Sequence, residues 1–215
     1  MLIAKAVARL RGRYEDWMEG SLDRKYGIET AGIHDDIAAL GASGRNLGQA
    51  VRYEPIEVLK FHRMIRAADI EPREFSFVDY GCGKGRAVVL AAECGFKRVV
   101  GVEFAAALHA LAQRNVEAFA RKRRRSPPIE LCHGDAAELP IPEGDVLLFF
   151  YNPFGPGVMR EVAANVERSW RARARRIVVL YANPWHAHAW DELGFLRQRQ
   201  NNKSFALYVS GPRTE

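Results

Sequence analysis

The stretch Phe77-Val78-Asp79-Tyr80-Gly81-Cys82-Gly83-Lys84-Gly85-Arg86 joins a buried-strand pattern to the start of an apolar helix, through a turn with glycine at three alternate positions. Lacking Cβ atoms, Gly81, Gly83 and Gly85 can take positive φ and let backbone come close to a ligand. The first turn of the following helix aims its unpaired N–H groups into the same space. Such a turn cradles a nucleotide-like ligand. The context supports this reading: the apolar helix runs to Ala92, stops at Gly95, and is followed by a second strand, Arg98-Val99-Val100-Gly101-Val102, that ends at Glu103. An acid at the tip of that strand, about 20 residues beyond the glycines, stands where a ribose diol would hydrogen-bond.

Outward from this unit the pattern alternates. Strands are expected over 75–80, 98–102, 129–132, 146–151 and 177–181. Between them lie a helix beginning near Lys84, one carrying Leu108, Leu111, Val116 and Phe119, and one carrying Val158, Val162, Val166 and Trp170. Ahead of the first strand, Pro55 is expected at the first position of a helix whose apolar face holds Ile56, Leu59, Met64 and Ile65. The tail, 194–198 and 204–209 around Asn201-Asn202-Lys203, reads as an antiparallel hairpin. Short strands alternating with helices imply a mostly parallel sheet covered on both faces, with ligands at the strands' carboxyl ends. Asp79, Gly81, Glu103, Asp135 and Asn152 fall at such ends of four different strands.

The chain has 215 residues, enough for one domain with a substantial core plus an extension. Residues 1–50 read as that extension: a basic amphipathic helix (Leu2, Val7, Leu10, Tyr14, Trp17), then a segment broken by glycines that packs on the body or closes over its ligand. Residues 51–215 read as the ligand-binding domain. With 48% hydrophobic and 27% charged residues the composition is that of a soluble globular protein. No apolar run is long enough to span a membrane. Lys5 and Arg9 interrupt Met1 to Leu10 too early for a signal-peptide core, so a cytoplasmic location is expected. The three cysteines are scattered without a C-x-x-C pair, which points to reduced thiols and no zinc site. His186 and His188 lack the further ligands a metal needs. The net charge of +6 raises nucleic acid as a partner. The basic run Arg121 to Arg125, however, precedes Pro127-Pro128 without interleaved aromatics and reads as a solvated loop.

The spacing G-x-G-x-G, with Asp79 two positions ahead of it, resembles motif I of the class I S-adenosylmethionine (SAM) methyltransferases. Cys132-His133-Gly134-Asp135-Ala136 looks like that family's adenine-binding turn, and Phe149-Phe150-Tyr151-Asn152-Pro153-Phe154 stands where the family places its catalytic loop. Together with these, the segments 23–32 and Tyr53-Glu54-Pro55 look like a small bacterial set of such enzymes with some likeness to Dot1-type protein lysine methyltransferases. The resemblance implies a Rossmann-like sheet with a C-terminal antiparallel hairpin, SAM as cofactor and S-adenosylhomocysteine as product. It implies that Gly81, Cys82, Gly83 and Gly85 pass the methionine part of SAM, that Asp79 lies near its amino group, and that Glu103 takes both ribose hydroxyls. Asp135 and Ala136 would meet the adenine, and Tyr53 and Thr30 would bound the methionine end or else serve as ordinary packing and capping residues.

Asn152, Pro153 and Phe154 would form the catalytic loop. In amino-methylating relatives with Asn/Asp-Pro-Pro-Tyr/Phe at this place, a side-chain oxygen and a backbone carbonyl accept the amine's hydrogens; here one proline stands in place of two. The alternative for Asn152 is a strand-end turn residue, with Phe154 in the core. An amino nitrogen of a protein or small molecule is the expected acceptor, ahead of nucleic acid. A SAM-binding regulatory or assembly module is the competing reading, while the glycine spacing disfavours a dehydrogenase.

Overall fold

The computed structural model describes residues 20–42, 46–49, 51–123 and 125–211. The basic helix expected around Leu2 to Trp17 lies outside the described residues. Residues 20–26 are helical (α1) and are followed by an irregular segment reaching Tyr53. The body then runs α2 (Val58–Ala67), β1 (Ser76–Tyr80), α3 (Arg86–Cys94), β2 (Arg98–Glu103), α4 (Ala106–Lys122), β3 (Ile129–His133), β4 (Val146–Tyr151), α5 (Pro156–Ala172), β5 (Ile177–Ala182), α6 (His188–Asp191), β6 (Leu196–Asn201) and β7 (Phe205–Ser210).

The strands form one seven-stranded sheet in the order β3-β2-β1-β4-β5-β7-β6. β1 to β5 are parallel, and β7 enters antiparallel against β5 with β6 at the edge. The order reverses between β1 and β4, which opens the crevice where ligands bind in such sheets. Side chains alternate between the two faces. Phe77, Val99, Leu147 and Phe149 pack with Phe61 of α2 and Val88 of α3, whereas Val78, Val100, Leu148 and Phe150 pack with Val158 and Val162 of α5 and Trp190 of α6. Burial on both faces explains why the central strands read as near-continuous apolar runs.

Two expected boundaries move. Pro55 is not at a helix start: α2 begins at Val58 with Glu57 as its N-cap, and Pro55 and Ile56 continue as extended chain along a cleft. The hairpin is shifted toward the C-terminus because Asn202, which accepts from the Ser204 and Phe205 amides, sets the turn. A bulge between Gln198 and Gln200 absorbs the change of register.

The segment after α1 is pinned to the body. Asp23 accepts from the Thr30 amide (2.9 Å) and hydroxyl (2.6 Å), the Arg86 Nε donates to the Thr30 hydroxyl (2.8 Å), and Asn115 of α4 bonds both the N–H and the C=O of Glu29. Two backbone hydrogen bonds then pair His34 with Tyr53.

Candidate functional site

β1 ends in the glycine turn, with Gly81, Gly83 and Gly85 at φ 76°, 54° and 84°. These left-handed values favour glycine, and the surroundings forbid anything larger at two of the positions. A Cβ on Gly83 would fall 2.2 Å from the ring of Tyr53, and one on Gly81 would fall 2.5 Å from Pro153. The turn is therefore closely covered by the protein itself: by Tyr53 from the N-terminal segment and by Pro153 from the loop after β4. Gly85 is the N-cap of α3 and packs on Ala112 of α4. The Gly81 and Cys82 amides both donate to the Val102 carbonyl, which ties the turn to β2. Burial holds the Cys82 thiol well above its ordinary range, which disfavours a nucleophilic role.

A cleft of about 900 Å³, its open mouth included, lies at the carboxyl ends of β1, β2 and β4. Its wall includes Asp79, Gly81, Cys82, Gly83, Glu103, Asp135, Ala136, Tyr53, Pro153 and Phe154. Asp79 is buried, and no described residue donates a hydrogen bond to it. Burial and the nearby Glu103 push its carboxyl up to about 8, so a cationic group placed against it would favour the ionised form. Glu103 accepts from the Gly83 amide (2.9 Å) through one oxygen and from the Ala105 amide (2.8 Å) through the other, and burial raises its pKa despite those bonds. Each oxygen keeps a lone pair for a ligand hydroxyl. Asp135 accepts from the Ala137 amide through Oδ1 and from the Asn46 side-chain amide, at 2.6 Å, through Oδ2.

These groups suit SAM: a carboxylate for its amino group, a carboxylate for a diol, and an Asp already engaged by an amide NH₂ that resembles an adenine amino group as a donor. Thr30 and Gly85 stand behind the cleft and do not line it. Thr30 is fully buried between Asp23 and Arg86, and its carbonyl accepts from the Tyr53 hydroxyl at 2.7 Å. It holds Tyr53 on the turn.

The loop after β4 differs from its expected layout. Tyr151, Pro153 and Phe154 line the cleft, but Asn152 does not. Asn152 sits at φ 43°, is buried, and its Oδ1 accepts from the Tyr181 hydroxyl of β5 at 3.3 Å. Asn183, one position beyond the paired ends of β4 and β5, has φ 50° and is likewise followed by proline. Asn tolerates the left-handed region better than most residues, so both strands leave the sheet by the same device. Sequence reading missed Lys60, which is buried and donates to Asn183 Oδ1 at 2.8 Å, and Glu54, which accepts from the Tyr151 hydroxyl at 3.1 Å. In the sequence Glu54 stands out only within Tyr53-Glu54-Pro55 and Lys60 not at all, because their partners lie about a hundred positions away in the chain. Among the described residues no group of His, Cys, Asp and Glu could hold a metal ion, and no helix is long and apolar enough to cross a membrane.

Comparison with known proteins agrees with this geometry. Residues 77–172 match a family described as a methyltransferase domain. No curated protein matches the sequence. Among the solved structures that share the fold are the following three. A predicted N6-adenine-specific DNA methylase from Listeria monocytogenes has TM-score 0.54 at 16% identity, covering 74% of this chain and 52% of that one. A protein from Methanococcus maripaludis described as an S-adenosyl-L-methionine-dependent methyltransferase has TM-score 0.52 at 16% identity, covering 74% and 86%. Precorrin 8W decarboxylase from Methanobacterium thermoautotrophicum has TM-score 0.51 at 18% identity, covering 79% and 96%. The chain thus spans about half the length of the Listeria protein, and identities this low speak for the fold alone.

Proposed function

Because residues 77–172 form a class I methyltransferase domain with SAM as its cofactor, we propose that this protein transfers the methyl group of SAM to an amino nitrogen of a protein or small molecule. The observation that carries this reading is a single cleft whose wall joins the buried carboxylates Asp79 and Glu103 to Tyr151, Pro153 and Phe154 after β4. The cofactor supplies an electrophilic methyl carbon. The protein's part is to align the acceptor and exclude water, which suffices for an in-line displacement. Asp79 and Glu103 hold the amino and ribose groups, and Asp135 with Ala136 meets the adenine. Pro153 and Phe154 form the apolar wall along which the acceptor's lone pair approaches. Asn152, turned to Tyr181, positions that wall by setting the backbone turn.

The N-terminal extension, residues 1–50, serves as a cover in this reading. Its described part reaches the adenine side through Asn46 and caps the start of α5 through Gln49, whose Oε1 accepts from the Gly157 amide at 2.7 Å. Adenine binding would exchange the Asn46 bond to Asp135 for one from the ligand.

Incubation with methyl-labelled SAM and a cell extract tests the proposal. Label should appear in a protein or small-amine fraction and survive mild alkali, as N-methyl groups do and methyl esters do not. Alkali-labile label would move the acceptor to a carboxylate. Cofactor binding without transfer to any fraction would favour a SAM-binding module.

A further inference from the structure

Glu54 follows Tyr53, whose ring covers Gly83, and so stands on the cleft wall between the glycine turn and the end of β4. Its Oε1 accepts from the Tyr151 hydroxyl at 3.1 Å, and its Oε2 accepts from Arg52 at 2.8 Å. The phenolic proton is thus committed to Glu54. Burial and the negative charge of Glu54 hold the phenol well above its ordinary value, so it stays protonated, and the Asn183 amide approaches the same oxygen. A phenol oxygen accepts as well as donates. Tyr151 therefore meets the cleft as a hydrogen-bond acceptor, beside a carboxylate with lone pairs of its own.

The other charges facing this pair leave that character intact. Arg52 is half exposed on the rim, where water weakens its hold on Oε2. Lys60 lies over the Tyr151 ring, 5.1 Å from its centre, with its ammonium directed to Asn183. Burial lowers the Lys60 pKa while Glu57 and Glu54 oppose that effect, so Glu57 adds further negative charge nearby. Two acceptor oxygens beside the apolar wall of Pro153 and Phe154 suit a group that offers several N–H donors and carries or gains positive charge.

We infer that Glu54 and Tyr151 form the acceptor subsite and select a basic amine, both oxygens taking its N–H groups. This rests on the SAM-dependent reading above and adds the chemistry by which the acceptor is recognised. Asn152, the residue singled out by the sequence, is then a positioning residue for the loop.

Sinefungin, a SAM analogue bearing an amine on the carbon that replaces the methylated sulfonium, probes the subsite without knowledge of the natural acceptor. Calorimetry on the full chain should find sinefungin about tenfold tighter than S-adenosylhomocysteine, the scale of a charge-assisted hydrogen bond. In Glu54→Gln that advantage should fall to within about twofold, while S-adenosylhomocysteine affinity stays within twofold of wild type, and Glu54→Asp should restore part of it. A merely structural Glu54 would change both ligands together. Should Glu54→Gln not fold, Tyr151→Phe carries the same test, since it removes the other of the two acceptor oxygens. An unaltered ratio in the variants overturns the inference and leaves SAM-dependent transfer standing. Failure of wild type to bind S-adenosylhomocysteine overturns both.

Discussion

The ends of β1 and β2 and the ends of β4 and β5 meet in one cleft, yet they are assembled differently. On the first side the polar groups come from a contiguous piece of chain, 77–105. Glycine φ angles shape its turn, and Glu103 reaches back to the Gly83 amide. On the second side they come from scattered places: Glu54 and Lys60 from before the sheet, Tyr151 from β4, Tyr181 and Asn183 from the end of β5. In the proposed reading the cofactor side rests on a glycine-shaped backbone turn with Asp79 and Glu103 beside it, whereas the acceptor side is side-chain chemistry laid over the same backbone.

The largest expected effect sets the two sides furthest apart. Gly83→Ala strains a left-handed residue and drives a methyl into Tyr53, so S-adenosylhomocysteine affinity should fall by at least about a hundredfold. Wild-type binding by calorimetry in that variant would show that the turn and Tyr53 need not touch. Glu103→Ala comes next, at about 1–3 kcal/mol of cofactor affinity for the lost charged acceptor. It should also lower Tm, because the Gly83 and Ala105 amides lose their partner. An unchanged affinity would remove Glu103 from the ribose.

Asp79 adds a pH signature. Its ordinary carboxyl value of 3.8 rises to about 8 in the folded protein. A raised folded pKa gives stability that is complete below the unfolded value and is lost as pH rises through the folded one. Tm of the ligand-free protein should therefore fall as pH rises from about 4 to about 8 and level off above that, and Asp79→Asn should flatten that slope. A cationic ligand favours the ionised carboxylate, so binding at neutral pH should release nearly one proton, measurable in buffers of different ionisation enthalpy. Equal slopes in wild type and variant would mean that Asp79 ionises normally.

On the acceptor side Asn152 should respond to backbone more than to side chain. Asn152→Ala meets left-handed strain of about 1 kcal/mol and should lower Tm by a few degrees, while Asn152→Gly relieves that strain and should melt higher than the alanine variant. Both should keep cofactor affinity. A well-folded glycine variant with turnover down about a hundredfold would return a direct role in alignment to the Asn152 side chain. The smallest effect concerns the extension. Amide exchange over 20–34 should be slow with or without S-adenosylhomocysteine, given the Asp23, Arg86 and Asn115 contacts. Exchange over 46–49 should change on binding. A change across the whole of 20–34 would make that segment part of the moving cover.

The cofactor side was legible because its signals are local. The G-x-G-x-G turn, Asp79 two residues ahead and Glu103 at the next strand's tip are fixed to one another by a single β-α-β unit. β4 was read at its observed limits, 146–151, because six apolar residues between Asp145 and Asn152 can only be a buried strand in this context. Where local signals were ambiguous the reading slipped or stayed open: Pro55 looked like a helix start but continues an extended wall of the cleft, and Thr30, open between a pocket wall and a packing residue, is a buried anchor beside Arg86.

By itself, then, the sequence determined an alternating strand-helix sheet, the glycine turn and the acids that accompany it, since each follows from residues close together in the chain. Only the tertiary structure decided that Tyr53 covers Gly83, that Asn46 engages Asp135, that the Asn152 side chain turns to Tyr181, and that Glu54 accepts a hydrogen bond from the Tyr151 hydroxyl. Those contacts join segments tens of residues or more apart, and which of several polar partners a side chain finds is set by how the packed elements bring them together, not by propensity along the chain.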